Sequence, residues 1–355
     1  MVRCVIVTFV LLIVSPSLGQ ESDQETSMQF GGFVDGYYAF EFTRPPGKDR
    51  SFTTQPLRHN EFNLNLALFA LQYNTERVHG KFGLQAGTYV ESNYAAEPAG
   101  LQRIHEAFVG LRLGQSDWWV DMGLMASHIG FESAISSYNW TYSRALMADF
   151  SPFYETGMRL SGPVSETATF TLVVVNGWQN LRETNDEKAL GTQIQIQHSD
   201  RFSFNWSTFL GNEQPDSQPW QPRIFNNFFG QFQISEKTDG ALIFDVGFQK
   251  KPSAGSFNTW YAAAIYGRHQ MTETISMAGR LEYFADKNQV IAPTGTPNGF
   301  QTLGASINLD YAPTDHFVWR IEARGFRPKD RIYPSYSGFD RLSGFLVSSF
   351  AVSID

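Results

Sequence analysis

Cysteine is almost missing from this chain. The single Cys4 in 355 residues excludes a disulfide framework and a thiolate zinc site. Charge is scarce as well, at 17% of residues against about 25% in ordinary soluble domains. There is no basic excess. With 27 Lys and Arg against 35 Asp and Glu, the net charge is -8 and the pI is near 5.4, which argues against a nucleic-acid binder with its basic face. Beyond Gln20 no stretch approaches the about 18 consecutive apolar residues of a membrane-spanning helix. Mean hydropathy is -0.27, and a helical membrane protein is excluded. No GxSxG, HExxH, GxGxxG or GxxxxGK[ST] signature occurs, and no two histidines stand at i,i+4, so neither enzymatic activity nor a metal or cofactor is expected. The acids Glu183, Asp186 and Glu187 lie in a polar connector and read as solvated.

What is abundant is aromatic and glycine: 31 Phe, 14 Tyr, 8 Trp and 30 Gly. The N-terminus carries Arg3, an apolar run over 5–14, Pro16, and the small residues Ser17 and Gly19. This pattern predicts a secretory signal peptide over 1–19, cleaved before Gln20, followed by one domain over 20–355. The run is too short to cross a bilayer, which takes about 20 residues. Cleavage would remove Cys4 and leave the exported chain without cysteine.

From Gln29 onward, segments of about ten residues alternate in polarity. Phe62, Leu64, Leu66, Leu68 and Ala70 fall on one face, against Glu61, Asn63, Asn65 and Ala67. The row Leu303, Ala305, Ile307 and Leu309 opposes Ser306, Asn308 and Asp310, and Leu242, Phe244, Val246 and Phe248 oppose Asp245 and Gln249. Side chains alternate across a strand, so each segment has one oily and one wet face. The segments are longer than the five or so residues of a typical soluble strand and match a tilted membrane strand. Aromatics near segment ends (Phe40, Phe42, Trp118, Trp119, Tyr311) suit interfacial girdles. Gly83, Gly87, Gly157, Gly191, Gly247 and Gly304 recur on wet faces, where they would leave lumen space and permit curvature.

Seven short polar connectors alternate with eight long ones, at 44–59, 92–102, 126–150, 176–188, 212–223, 251–258, 286–299 and 327–340. The fold expected is therefore all-β: a closed antiparallel transmembrane barrel of about sixteen strands with short periplasmic turns and long extracellular loops. At that size a barrel encloses an aqueous channel.

Beyond the pattern, residues 103–146 contain His105-Glu106-Ala107-Phe108-Val109, a tryptophan-bearing strand, His128-Ile129-Gly130-Phe131-Glu132-Ser133, and Tyr142-Ser143-Arg144. Further on come Glu155-Thr156-Gly157, Val175-Asn176-Gly177-Trp178, and Arg280-Leu281-Glu282-Tyr283-Phe284 with Asp286, while Asp35-Gly36-Tyr37-Tyr38 opens the series. In order and content these resemble the OmpL-like beta-barrel porins across nearly the whole chain. The resemblance implies an outer-membrane, porin-like channel without naming a solute. One departure is the end of the chain, where Phe350, Val352 and Ile354 keep the outward phase but no terminal aromatic follows.

The longest connector, 126–150, is the candidate constriction loop by analogy with large porins. It carries His128, Glu132, Arg144 and Asp149, with Tyr138, Trp140 and Tyr142. The opposing wall is expected to hold Arg159, Arg280, Arg320 and Arg324 with Glu282 and Glu322. Arg280/Glu282 and Arg320/Glu322/Arg324 stand at period two, so each set lines one face. An arginine facing lipid at the midplane would cost ~2–4 kcal/mol, so these sets must face the lumen. They either set up a transverse field that filters ions by sign or form neutralising ladders. The loop aromatics either stack on sugar rings or pack the loop. Three activities stay open: passive diffusion of ions and small hydrophilic solutes, a non-conducting adhesin or structural barrel, and an outer-membrane hydrolase. Outer-membrane lipid is the expected partner, with a homotrimer by analogy.

Overall fold

The computed structural model describes residues 26–252 and 255–354; the expected signal peptide lies outside them. The first half of the chain contributes β1 (Ser27–Glu41), β2 (Phe62–Asn74), β3 (Val78–Ala86), β4 (Ile104–Arg112), β5 (Trp119–Ala126), β6 (Tyr154–Ser165), β7 (Ala168–Val175), β8 (Ala189–Ser199) and β9 (Phe202–Asn212). The second contributes β10 (Pro222–Ser235), β11 (Thr238–Lys250), β12 (Phe257–Gln270), β13 (Ile275–Asp286), β14 (Phe300–Thr314), β15 (Phe317–Pro328), the short hairpin β16 (Tyr333–Ser335) and β17 (Gly338–Asp340), and β18 (Ser343–Ile354). Sixteen of these pair with their sequence neighbours, all antiparallel, and β18 pairs with both β15 and β1, which closes the barrel. The β16–β17 pair is a separate hairpin within the last long loop. One end of the barrel carries the short turns and the other the long loops.

Alternation decides which face is which. On β14, Leu303, Ala305, Ile307 and Leu309 point out while Gly304, Asn308 and Asp310 are buried inside. On β18, Phe350, Val352 and Ile354 keep the outward phase. Closure satisfies every strand edge, as backbone in a lipid environment requires.

Two readings from alternation need correction. In β2 the ladder slips, with Asp35 opposite Leu66 and Gly36 opposite Leu64. This bulge inserts one residue and flips the phase. Phe62 and Leu64 face outward, whereas Leu66 is fully buried in the lumen with Phe33 and Tyr89. Trp119 also departs from the girdle reading. It stacks on His79 with ring centroids 4.2 Å apart, on the side where His79 meets Asp121. Phe42 and Tyr311 do face outward.

The interior is filled at the loop end. Helix α1 (Thr88–Asn93) packs Tyr89 and Val90 inside. Across the lumen, Trp178, Phe209, Phe225, Trp260, Phe284 and Phe300 join one apolar cluster with the long loop after β5. Inward glycines hold space for neighbouring side chains: a Cβ on Gly247 would lie 2.0 Å from the Trp260 ring, and one on Gly304 2.8 Å from Glu282.

Candidate functional site

The segment 127–153, between β5 and β6, enters the barrel and crosses it as a strap. Its chemistry begins at His128, whose Nδ1 donates to the Glu155 carboxylate at 2.9 Å and whose Nε2 donates to the Thr208 carbonyl at 2.8 Å. Both ring nitrogens face acceptors, an arrangement that favours the protonated ring. Burial works against that charge, but Glu155 and the Thr208 carbonyl outweigh it and hold the His128 pKa above the ordinary histidine value. Gly191 makes room, since a Cβ there would lie 2.4 Å from His128 Nε2. The His128 carbonyl in turn accepts from Gln193 and Ser207, both at 2.7 Å. The strap is thereby tied to β8 and β9, two and three strands along the wall from β6.

It then runs along the opposite wall. Phe131 packs on Phe229 and Tyr266, and Trp140 packs on Phe131 and Tyr266. Arg280 of β13 is fully buried and donates to Thr141 Oγ1 at 2.9 Å and the Ser143 carbonyl at 2.8 Å, and it pairs with Glu132 at 3.3 Å. Arg324 donates to the Arg144 carbonyl at 2.7 Å and to Glu282 at 2.6 Å. Arg320 donates to the carbonyls of Ser136 and Asn139 and to Asp310. The carboxylates hold the loop's amides: Ser143 N and Oγ donate to Glu322, Leu146 N to Glu282, and Ala145 N to Glu132. Ser136 Oγ reaches Asp35 on β1 at 2.8 Å. Three arginines and five carboxylates therefore meet one loop in a region closed to water. Isolated charges could not stay there; mutual pairing and hydrogen bonds offset their desolvation.

The expected site residues thus divide. Glu132, Arg280, Glu282, Arg320, Glu322 and Arg324 are brought into one cluster, but they grip the strap instead of facing it across an open gap. Arg144 turns to the other side, bonded to Thr54 and paired with Asp149 at 3.2 Å, with its guanidinium 4.1 Å from the Phe153 ring centroid and 4.7 Å from that of Tyr89. The short helix α2 (Leu146–Asp149) follows it. His128 pairs with Glu155 alone. Arg159 sits nearer the turn end, 2.7 Å from Asp121, and keeps 26% of its side chain exposed. Of the loop aromatics, Tyr142 and Trp140 are packed, whereas Tyr138 is 71% exposed.

Sequence reasoning missed several inward polar side chains near the turn end, of which Lys81, Arg268, Asp239 and His79 stay in contact with water. Lys81 pairs with Glu106, Arg268 pairs with Asp239 at 2.8 Å, and His79 meets Asp121 at 2.6 Å. The same period-two counting could have found them: Arg268 shares the phase of Trp260 and Tyr266, all inward. Among the described residues no group of His, Cys, Asp and Glu is placed to hold a metal ion.

A family model described as "Putative beta-barrel porin-2, OmpL-like" matches residues 27–354. Among solved structures, the outer membrane channel DcaP of Acinetobacter baumannii matches with a TM-score of 0.61 at 12% identity, over 93% of this chain and 97% of its own. OmpT, an outer membrane protein of Vibrio cholerae, matches at 0.60 and 7% identity over 94% and 99%; a trimer form of it matches at 0.59 and 6% over 92% and 99%. Salmonella typhi OmpF, in complex with daunomycin, matches at 0.58 and 12% over 92% and 97%. At these identities the likeness is one of fold. No curated protein sequence matches significantly.

Proposed function

This chain belongs to the OmpL-like family of beta-barrel porins, and on that premise we propose that it forms an outer-membrane channel for passive diffusion of ions and small hydrophilic solutes. The observation that carries the reading is a sixteen-stranded barrel whose inward rows are polar toward the turn end and whose longest loop crosses the lumen on a charged wall. At the turn end, Arg159, Lys81, Arg268 and Asp239 keep contact with water and would face a passing ion. The strap and the apolar cluster at the loop end keep the path narrow, so unit conductance is expected to be small. Charges in contact with water, not those buried under the strap, would then set ion preference. A homotrimer is the assembly we infer, by analogy with the trimer form of OmpT.

Reconstitution in planar bilayers tests this. Wild-type protein is expected to give small stepwise conductance, and replacement of residues 131–145 by a short Gly-Ser linker is expected to raise the step size several-fold. Silent bilayers from both proteins, each folded and heat-modifiable on gels, would refute the channel. A non-conducting barrel is the second reading, favoured by the loop-end packing of Trp178, Phe209, Phe225 and Trp260. Silence from both proteins would support it.

A further inference from the structure

The lipid-facing surface of a barrel is ordinarily a plain apolar wall. Here it is interrupted where β14, β15 and β18 approach the loop end. Three outward positions in register carry almost no side chain: Ala305, Gly325 and Gly344. Leu303, Phe42 and Leu342 stand around them, and together they form a groove of about 870 Å³. Lower on the same strands, the outward residues are full-sized and exposed, as at Ile307, Ile321 and Leu346. The groove is therefore continuous with the apolar belt.

Its rim has a different chemistry. Arg327, Arg331 and Arg341 line it, and Lys329 lines a smaller cavity beside it with Arg327 and Arg341. All four side chains are exposed. None makes a side-chain hydrogen bond or an ion pair to another of the described residues, in a protein where most inward arginines are paired. Two acids stand near. Asp340 lines the groove, and Asp330 accepts from the Asn298 backbone N–H and side-chain amide at 2.9 and 2.8 Å. The rim still carries an excess of positive charge. Exposed Phe339 and Leu342 of the adjoining loop flank the cations, as interfacial residues do at the head-group level.

We propose that this face binds an anionic, phosphate-bearing lipid of the leaflet at the loop end, with an acyl chain in the groove over Gly325 and Gly344 and the phosphate held by Arg327, Lys329, Arg331 and Arg341. Guanidinium groups meet phosphate oxygens in a bidentate fork, and cations at a membrane surface attract anionic head groups; of the four, Arg341 alone feels Asp330. A second copy of this chain is the weaker occupant, because two such rims brought together would repel. The site is independent of whether the lumen conducts, since it lies on the outer wall.

Native mass spectrometry of the purified full barrel in an uncharged detergent tests it, with phosphatidic acid, phosphatidylcholine and inorganic phosphate as probes. Phosphatidic acid is expected to be retained at least fivefold more than phosphatidylcholine. The Arg327→Gln/Arg341→Gln variant should lose that preference. Gly325→Leu should lower retention while leaving the cations in place; its side chain has room in the fold, since a Cβ would come no nearer than 3.9 Å to Ser343 O. Equal retention of both lipids, an unchanged preference in both variants, or displacement of the lipid by millimolar inorganic phosphate would overturn the proposal. So would a change of oligomeric state in place of lipid retention.

Discussion

At the residue scale, the wall arginines serve mainly as hydrogen-bond donors to the backbone of one loop. Arg320 illustrates it, with its donors on Ser136 O, Asn139 O and Asp310. Reversing that charge sets a carboxylate against Asp310 and strands two carbonyls, and breaking a buried pair costs about 3–5 kcal/mol. Arg320→Glu is therefore expected to lower the thermal midpoint of the barrel and release the strap to protease. Arg159→Gln, at a partly exposed position where His79 still meets Asp121, should cost less stability than Arg320→Glu and shift the reversal potential in asymmetric salt toward cations. An unchanged potential would remove Arg159 from the filter.

His128 supplies a pH dependence of its own. Its pKa is raised above the ordinary 6.5, so the protonated ring favours the folded state. That stabilisation is fully present below the unfolded value and is lost as pH rises through the raised one. The strap should grow more protease-sensitive as pH rises above about 6.5 and through that raised value. His128→Asn should flatten the profile while leaving the barrel assembled. A wild-type profile that is already flat would dissociate His128 from the strap's hold.

At the element scale, β2 shows how one inserted residue changes a face. Leu64 and Leu66 look equivalent in an alternating row, yet the bulge sends one out and the other into the cluster of Phe33 and Tyr89. Leu66→Ala should cost about 2–5 kcal/mol, because it leaves a cavity in packed surroundings. Leu64→Ala leaves no cavity and should cost clearly less. Urea unfolding in detergent distinguishes them, and equal losses would contradict the flip. The strap is the other instructive element. It lacks regular secondary structure apart from the turn Ser136–Tyr138 and the helix α2, so its backbone groups must find partners elsewhere. Glu132, Glu282, Glu322 and the three arginines supply them.

At the scale of the whole molecule, two surfaces have opposite chemistry. The outer belt is mainly apolar, and at the loop end of β14, β15 and β18 it meets the groove with its cationic rim. The lumen is packed with aromatic side chains at the loop end and keeps its polar residues in contact with water toward the turn end. A barrel of sixteen strands leaves room for that interior, and the long loops fill the end from which they project. Permeation then depends on how far the strap and loops leave space, a property of their packing and not of the strand count.

The barrel could be read from local patterns alone. Period-two alternation, strand length and the seven short and eight long connectors are local quantities, and a closed cylinder is the one arrangement that satisfies strand edges in lipid. The inward placement of Arg280, Glu282, Arg320, Glu322 and Arg324 was legible for the same reason. Which charges meet depends on the folded chain. Glu132 and Arg280 are 148 residues apart, and their pairing depends on how an irregular loop folds back, which no periodicity encodes. The bulge at Leu66, the inward turn of Trp119 and the basic rim around Gly325 share that origin: each depends on the register of neighbouring strands or the path of a loop, and a single strand read alone carries neither.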